Sequence, residues 1–187
     1  KRQRLWRAGM RPINALVDIT NYVMLATGQP THAFDSDNIQ GHIIVRRAKE
    51  GEKLLLLNGK DLSLSADDLV IADDAGVVAL AGVMGGANSE IVGDTAMVLF
   101  ESANFNGTSV HRTAAALNMR TDASSRYEKG LDPMNTLKAV ERACELVELL
   151  GAGEVLEGVM DVIAKDSNPV TVKLEPEKVN GLLGTDV

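Results

Sequence analysis

"LVIADDAGVVALAGVMGG", residues 69–86, decides how the whole chain is read. Two apolar runs flank Asp73–Gly76, a cluster of turn formers, so the stretch reads as a hairpin. Upstream, "KLLLLNGKDLSLS" (53–65) repeats the pattern, with Asn58-Gly59 as the two-residue turn and Leu62 and Leu64 alternating after it. "HIIVRRA" (42–48) adds a short strand, and "AMVLFESANF" (96–105) reads as a further buried strand carrying Glu101. The middle of the chain is β.

Helical signals lie on both sides. A helix is expected from Pro12 to about Ala26, with Pro12 in its first turn, Gly28 past its end, and Ile13, Leu16, Val17 and Met24 on the buried stripe. Thr20 and Asn21 fall on that same face, where polar groups need partners. Thr108 or Ser109 can cap a helix through Ala116 that ends at Asn118. Pro133 to about Leu150 is the clearest helix, with Leu137, Val140, Cys144 and Val147 as its stripe. "EVLEGVMDVIA" (154–164) reads as a last strand. Strands in the middle and helices at the flanks predict an α+β fold rather than repeating βαβ units.

At 187 residues and 45% hydrophobic, the chain suits one large domain or two small ones packed intimately, with a core that needs no disulfides. Its single cysteine, Cys144, cannot form an internal bridge, and three histidines with one thiol offer no zinc spacing. A reducing, cytoplasmic setting follows from that usage, and no apolar run approaches the roughly 20 residues of a membrane helix. The opening on Lys1 and the closing "KLEPEKVNGLLGTDV" suggest a piece of a larger protein, with residues 1–165 as one module and 166–187 as a linker and the truncated start of a following domain. That closing segment reads as a strand-like stretch and a Pro-initiated helix.

The net charge of −7 argues against a broad nucleic-acid-binding face. A short single-stranded end needs less, and between Gly107 and Gly130 the cations Arg112, Arg120, Arg126 and Lys129 outnumber Asp122 and Glu128.

Several residues invite a chemical reading beside a plainer one. "GVMGGANSE" (82–90) follows a strand but lacks the Lys-Ser/Thr pair or G-x-G-x-x-G of a phosphate loop, so its glycines mark either tight packing or the approach of a ligand. His32 in "GQPTHAFD" is structural or functional, while His42 and His111 look ordinary. Glu101 faces solvent on an alternating strand or lies beside a cleft, where an unpaired carboxylate is costly. "RTDASSRYEKGLDP" (120–133) is a capped connection or part of a polar site. No serine elbow or Cys–His pair supports covalent acyl chemistry.

Four of these stretches, in this order and spacing, closely resemble one family. "RPINALVDITNYVMLATGQPTHAFD", "ALAGVMGG", "VLFESANF" and "RTDASSRYEKGLDP" resemble the third and fourth domains of the β subunit of bacterial phenylalanyl-tRNA synthetase, from about Arg11 to Asp161. The resemblance implies an antiparallel or mixed β-sandwich of unusual topology flanked by helices. It implies proofreading: hydrolysis of tyrosine mischarged on the acceptor end of tRNA(Phe), within an enzyme whose synthetic site lies on the α subunit. It implies partners, namely the α subunit and the rest of the β subunit in a heterotetramer of two of each, and no membrane. It assigns His32, Thr20 and Thr121 to catalysis or positioning, and Asn21, Ala81, Gly82, Gly85, Glu101 and Ala123 to the substrate pocket. It implies no metal or cofactor in this region, the ATP and magnesium of the whole enzyme being used elsewhere. Two other readings remain open, a noncatalytic docking module for tRNA or protein, and a binding domain for a free aromatic amino acid.

Overall fold

The structure, a computed structural model, describes residues 2–164 and 171–186. Two hydrophobic cores organise it, one built by strands and one by helices.

The larger core is built around an antiparallel four-stranded sheet, with a hairpin packed on it and Phe34, Phe105, Val110, Ala114 and Tyr127 completing it. The sheet runs in the order β2 (Ile44–Arg47), β5 (Leu69–Ala72), β6 (Val77–Leu80), β7 (Met84–Gly85), and the hairpin is β3 (Lys53–Leu55) with β4 (Asp61–Ser63). Leu54, Leu56, Leu62 and Leu64 from the hairpin region pack with Val70, Ile71, Val78 and Leu80 of the sheet. The hairpin turns at Asn58-Gly59 as expected, with Gly59 at φ 81°, a left-handed conformation that glycine adopts without steric cost. The β5–β6 turn at Asp73–Gly76 is held by the Asp73 carboxylate, which accepts from the amides of Gln40, Ala75 and Gly76.

The smaller core is made by α2 (Ala15–Thr27) and α5 (Asn135–Leu149), through Ile19, Val23, Ala139, Ala143, Leu146 and Val147. Both helices differ from expectation in detail. Asn14 caps α2 by accepting from the Val17 amide, so the helix begins after Pro12, and Ile13 lies outside it and exposed. A side chain that satisfies an orphan amide outcompetes the proline signal. On α5 the buried stripe is rotated onto the small residues Ala139 and Ala143, leaving Leu137 exposed, because α2 approaches closely there. Gly28 closes α2 in a left-handed conformation as anticipated.

Between the cores runs a two-stranded antiparallel ribbon, β1 (His32–Asp35) with β8 (Val98–Glu101). Residues directly opposite share a face. Phe34 and Leu99 turn to the sheet core, Phe100 turns to the helical core, and His32 opposite Glu101 returns to the sheet side. Helix α3 (Gly107–Ala116) is capped by Asn106 rather than by Thr108 or Ser109, and α4 (Asp122–Tyr127) by Thr121 in a reciprocal capping box with Ser124. Helix α1 (Arg2–Arg7), unanticipated, buries only Leu5. The strand expected over 154–164 does not form, since the segment has no ladder partner among the described residues and Leu156, Met160 and Val162 stay exposed. The closing helix, α6 (Pro176–Leu183), forms with proline in its first turn and buries no residue. Of the expected linker and following segment, 166–170 and 187 lie outside the described residues, as does 165 at the end of the expected module.

The α+β class, antiparallel with flanking helices, is therefore what the chain adopts.

Candidate functional site

The β1–β8 ribbon, the β6–β7 turn and α4 enclose a cavity of about 80 Å³. Its wall includes His32, Glu101, Gly82, Gly85, Ala123 and Tyr127. Residues 69 positions apart thus become neighbours through the ribbon register that sets His32 opposite Glu101.

The glycines here are required by packing. Gly82 sits at φ 69°, and a Cβ there would lie 2.9 Å from Val110, 3.0 Å from Tyr127 and 3.3 Å from Phe105. A Cβ on Gly85 would lie 2.6 Å from His32 Cε1 and 3.0 Å from Leu57. The imidazole is in turn pinned edge-on against Phe34, ring centroids 4.5 Å apart. Tight packing and an approach to open space coexist, and the two readings of these glycines merge.

Glu101 and His32 both keep a partly open surface on the cavity while protein surrounds them closely, and neither makes an ion pair among the described residues. Desolvation therefore governs both groups. It raises the Glu101 carboxyl to about 7 and lowers the His32 imidazole to about 4. Tyr127, whose phenol donates to the Ala103 carbonyl at 2.9 Å, is raised by burial and by the nearby Glu101 charge. Gln29, wholly buried, donates to the carbonyls of Ala103 (2.7 Å) and Pro30 (3.0 Å) and clamps the start of β1 to the end of β8.

These two shifts give stability opposite dependences on pH. Unfolded Glu101 loses its proton near 4.5 while the folded group holds it to about 7, so stability falls as pH rises through that window. Unfolded His32 takes a proton below 6.5 while the folded ring resists until about 4, so stability rises with pH over that range. The slopes oppose each other where they overlap. Glu101→Gln removes only the falling limb. The variant is expected to match the wild type near pH 4 and to exceed it at pH 8, by up to about 3 kcal/mol at 1.36 kcal/mol per unit. Urea unfolding at the two pH values checks this, and an equal stability difference at both would refute it.

Four of the residues singled out by resemblance stand back from this wall. The Thr20 hydroxyl donates to Val17 O (2.9 Å) in its own helix, and Asn21 is half-buried on α2. Ala81 is 2% exposed in the sheet core. Thr121 caps α4 and donates to Val83 O (3.0 Å), tying α4 to the β6–β7 turn. Thr31, Phe105 and Tyr127 line the cavity without having been singled out. For Tyr127 the available signal was an aromatic within the polar stretch 120–133; for Gln29, a large amide before Pro30 at a helix exit.

A partly buried carboxyl and a neutral imidazole facing one small, partly apolar cavity are the arrangement that can meet a compact ligand group with an apolar body and a polar tip. Comparison with known proteins places the chain in a family. Residues 2–152 match the B3/4 domain, and the chain belongs to that family. It is 50% identical over 181 residues to the phenylalanine–tRNA ligase β subunit of Moorella thermoacetica, covering 96% of this chain and 22% of that protein. The corresponding figures for the β subunit of Clostridium acetobutylicum are 46% over 186 residues, 99% and 24%. The chain thus spans under a quarter of the length of these relatives. An N-terminal fragment of the phenylalanyl-tRNA synthetase β subunit from Pyrococcus horikoshii shares the fold, with a TM-score of 0.52 at 14% identity, over 92% of this chain and 51% of that one.

Proposed function

We propose that this chain is the proofreading module of a phenylalanine–tRNA ligase and hydrolyses tyrosine mischarged on tRNA(Phe). The observation that carries the reading is Glu101, a carboxyl with no ionic partner among the described residues, turned into a cavity beside an imidazole. A phenol hydroxyl entering the cavity supplies a hydrogen bond that Glu101 receives from none of the described residues, whereas phenylalanine displaces water and leaves it unmet, at a cost of about 1–3 kcal/mol. Synthetic pockets reject an added hydroxyl only weakly, so a second site with the opposite preference has a purpose.

In hydrolysis, water oxygen attacks the acyl carbonyl, the bond to the ribose oxygen breaks, and that oxygen leaves with a proton derived from the water. His32, unprotonated at neutral pH and a weak base because its environment lowers it to about 4, suits orienting that water better than abstracting its proton. The ester is already activated, so positioning supplies much of the acceleration. We propose holding roles for Thr121, through the β6–β7 turn, and for Thr20, whose carbonyl accepts from Thr31 on the wall. A cavity of about 80 Å³ is smaller than the roughly 150 Å³ that takes up a benzene ring. Binding must therefore widen it, and the half-buried, unbranched Met84 is the wall best able to give. The proposed partners are the tRNA(Phe) acceptor end, an α subunit and the remainder of a β subunit.

Deacylation of preformed Tyr-tRNA(Phe) and Phe-tRNA(Phe) by the intact enzyme tests the reading. Glu101→Ala is expected to cut the preference for the tyrosyl ester about tenfold or more. Wild-type rates on both esters in that variant would mean that Glu101 selects nothing, and tight binding of free tyrosine without hydrolysis would favour an amino-acid-binding domain.

A further inference from the structure

A second, larger cleft of about 250 Å³ lies on the far side of α3. Arg47, Arg112, Ser65, Asp67, Thr108 and Ser109 line it. We propose that this cleft holds one backbone unit of RNA, its phosphodiester gripped by Arg47 and Arg112 and its ribose hydroxyl by Asp67. The inference rests on the proofreading reading for the identity of the RNA.

The basic stretch between Gly107 and Gly130 separates into spent and unspent charges. Arg120 is paired with Glu128 (2.9 Å) and Arg126 with Asp122 (3.3 Å). Arg112 points from α3 into the cleft with no hydrogen bond or ion pair among the described residues. Arg47 meets it from the edge of the sheet. Its Nη1 donates to Ser109 Oγ (2.8 Å) and to the Asp67 carbonyl, both neutral acceptors that orient the guanidinium without cancelling its charge. Nε and Nη2 stay unused among the described residues. One oriented guanidinium and one free to turn toward it, neither with a carboxylate partner among the described residues, can together take a phosphate oxygen pair.

The acids of the cleft are not equivalent. Asp68 is buried and fully engaged, accepting from Thr113 Oγ1 (2.8 Å), the Ser65 amide (2.9 Å) and Ser65 Oγ (3.1 Å), so it builds the floor. Asp67 is exposed and its carboxylate accepts nothing among the described residues. A free phosphate has no use for an acceptor at that place, whereas a ribose 2′-hydroxyl does, and that group is what separates RNA from DNA. The lining carries no aromatic platform, which suits backbone rather than base recognition.

Geometry links the cleft to the first cavity. Helix α3 presents Val110 toward Gly82 on the cavity wall and Arg112 to the cleft. One acylated RNA end and its adjoining backbone can engage both sides of the helix. The net charge of −7 disfavours a broad basic face, and a local contact of this kind is the form of RNA binding it leaves room for.

The test uses the intact enzyme and uncharged tRNA(Phe), whose binding is independent of any hydrolysis. Arg112→Ala is expected to weaken binding about five- to tenfold and to reduce the salt slope of log K by about 1, with Arg112→Lys restoring the slope. Asp67→Asn should narrow the preference for the RNA acceptor strand over its DNA counterpart. Arg112 is exposed and unbonded, so its loss leaves the fold intact, which circular dichroism checks. Unchanged slopes in both Arg112→Ala and Arg112→Glu would overturn the proposal. So would saturation of the cleft by millimolar inorganic phosphate with no loss of tRNA affinity, which would make it a free-phosphate site. A normal slope change in an enzyme that cleaves no tyrosyl ester would sustain the cleft and remove the proofreading reading instead.

Discussion

Gly85→Ala is expected to lower hydrolysis of Tyr-tRNA(Phe) by about a hundredfold while aminoacylation by the intact enzyme stays near normal. The added Cβ would stand 2.6 Å from His32 Cε1 and 2.8 Å from Nε2, distances that real atoms do not tolerate. Phe34 holds the ring edge-on and Leu57 crowds the same Cβ, so the imidazole can yield only by turning into the cavity it lines. A shift of the imidazole by about 1 Å misplaces whatever it orients, and misplacement on that scale costs about 10²-fold. Single-turnover deacylation measures the effect. Wild-type hydrolysis in Gly85→Ala would show that His32 has no part in the reaction.

Gly82→Ala acts on the fold itself. At φ 69° an L-residue incurs about 1–2 kcal/mol, and the new methyl presses on Val110, Tyr127 and Phe105, with overpacking of about 1–3 kcal/mol. A loss of about 2–5 kcal/mol in urea unfolding is the expected result. Gly76→Ala is the control, since nothing lies within 4 Å of a Cβ there and its φ is not positive. Equal, small losses at both positions would contradict the packing described around Gly82.

Much of the strand-built half could be read from sequence, because its signals are local. Asn58-Gly59 and Asp73–Gly76 fix their hairpins with residues that touch their own neighbours. The helical half was legible in kind and wrong in phase. The α5 stripe follows the space that α2 leaves, and nothing in 133–150 encodes that space. Residues 154–164 have strand-like composition, yet a strand needs a ladder partner, and composition does not supply one. Glu101 shows the same limit at the site. Whether its carboxyl meets water or a cavity depends on pairing with His32, 69 positions earlier, and the strand alone allowed either. Resemblance brought His32, Gly82, Gly85, Glu101 and Ala123 to one wall, but it could not show that the hydroxyls of Thr20 and Thr121 already serve backbone carbonyls.

The α2–α5 pair has a consequence in time as well as in space. Its two helices are joined by a hydrogen bond from Asn135 Nδ2 to Thr27 O (3.1 Å) across 108 positions of chain. Everything between them, both sheets, the ribbon and the cavity, is a closed loop whose ends meet at that bond. Closing so long a loop before its contents are ordered brings an entropic penalty with little contact in return. The β3–β4 and β5–β6 hairpins close over a few residues and can form on their own. The helical core is therefore expected to assemble late, once the strand-built body has carried its two ends together. The ribbon that sets His32 opposite Glu101 closes across 69 positions, far more than either hairpin, so the site is expected to mature late in folding as well.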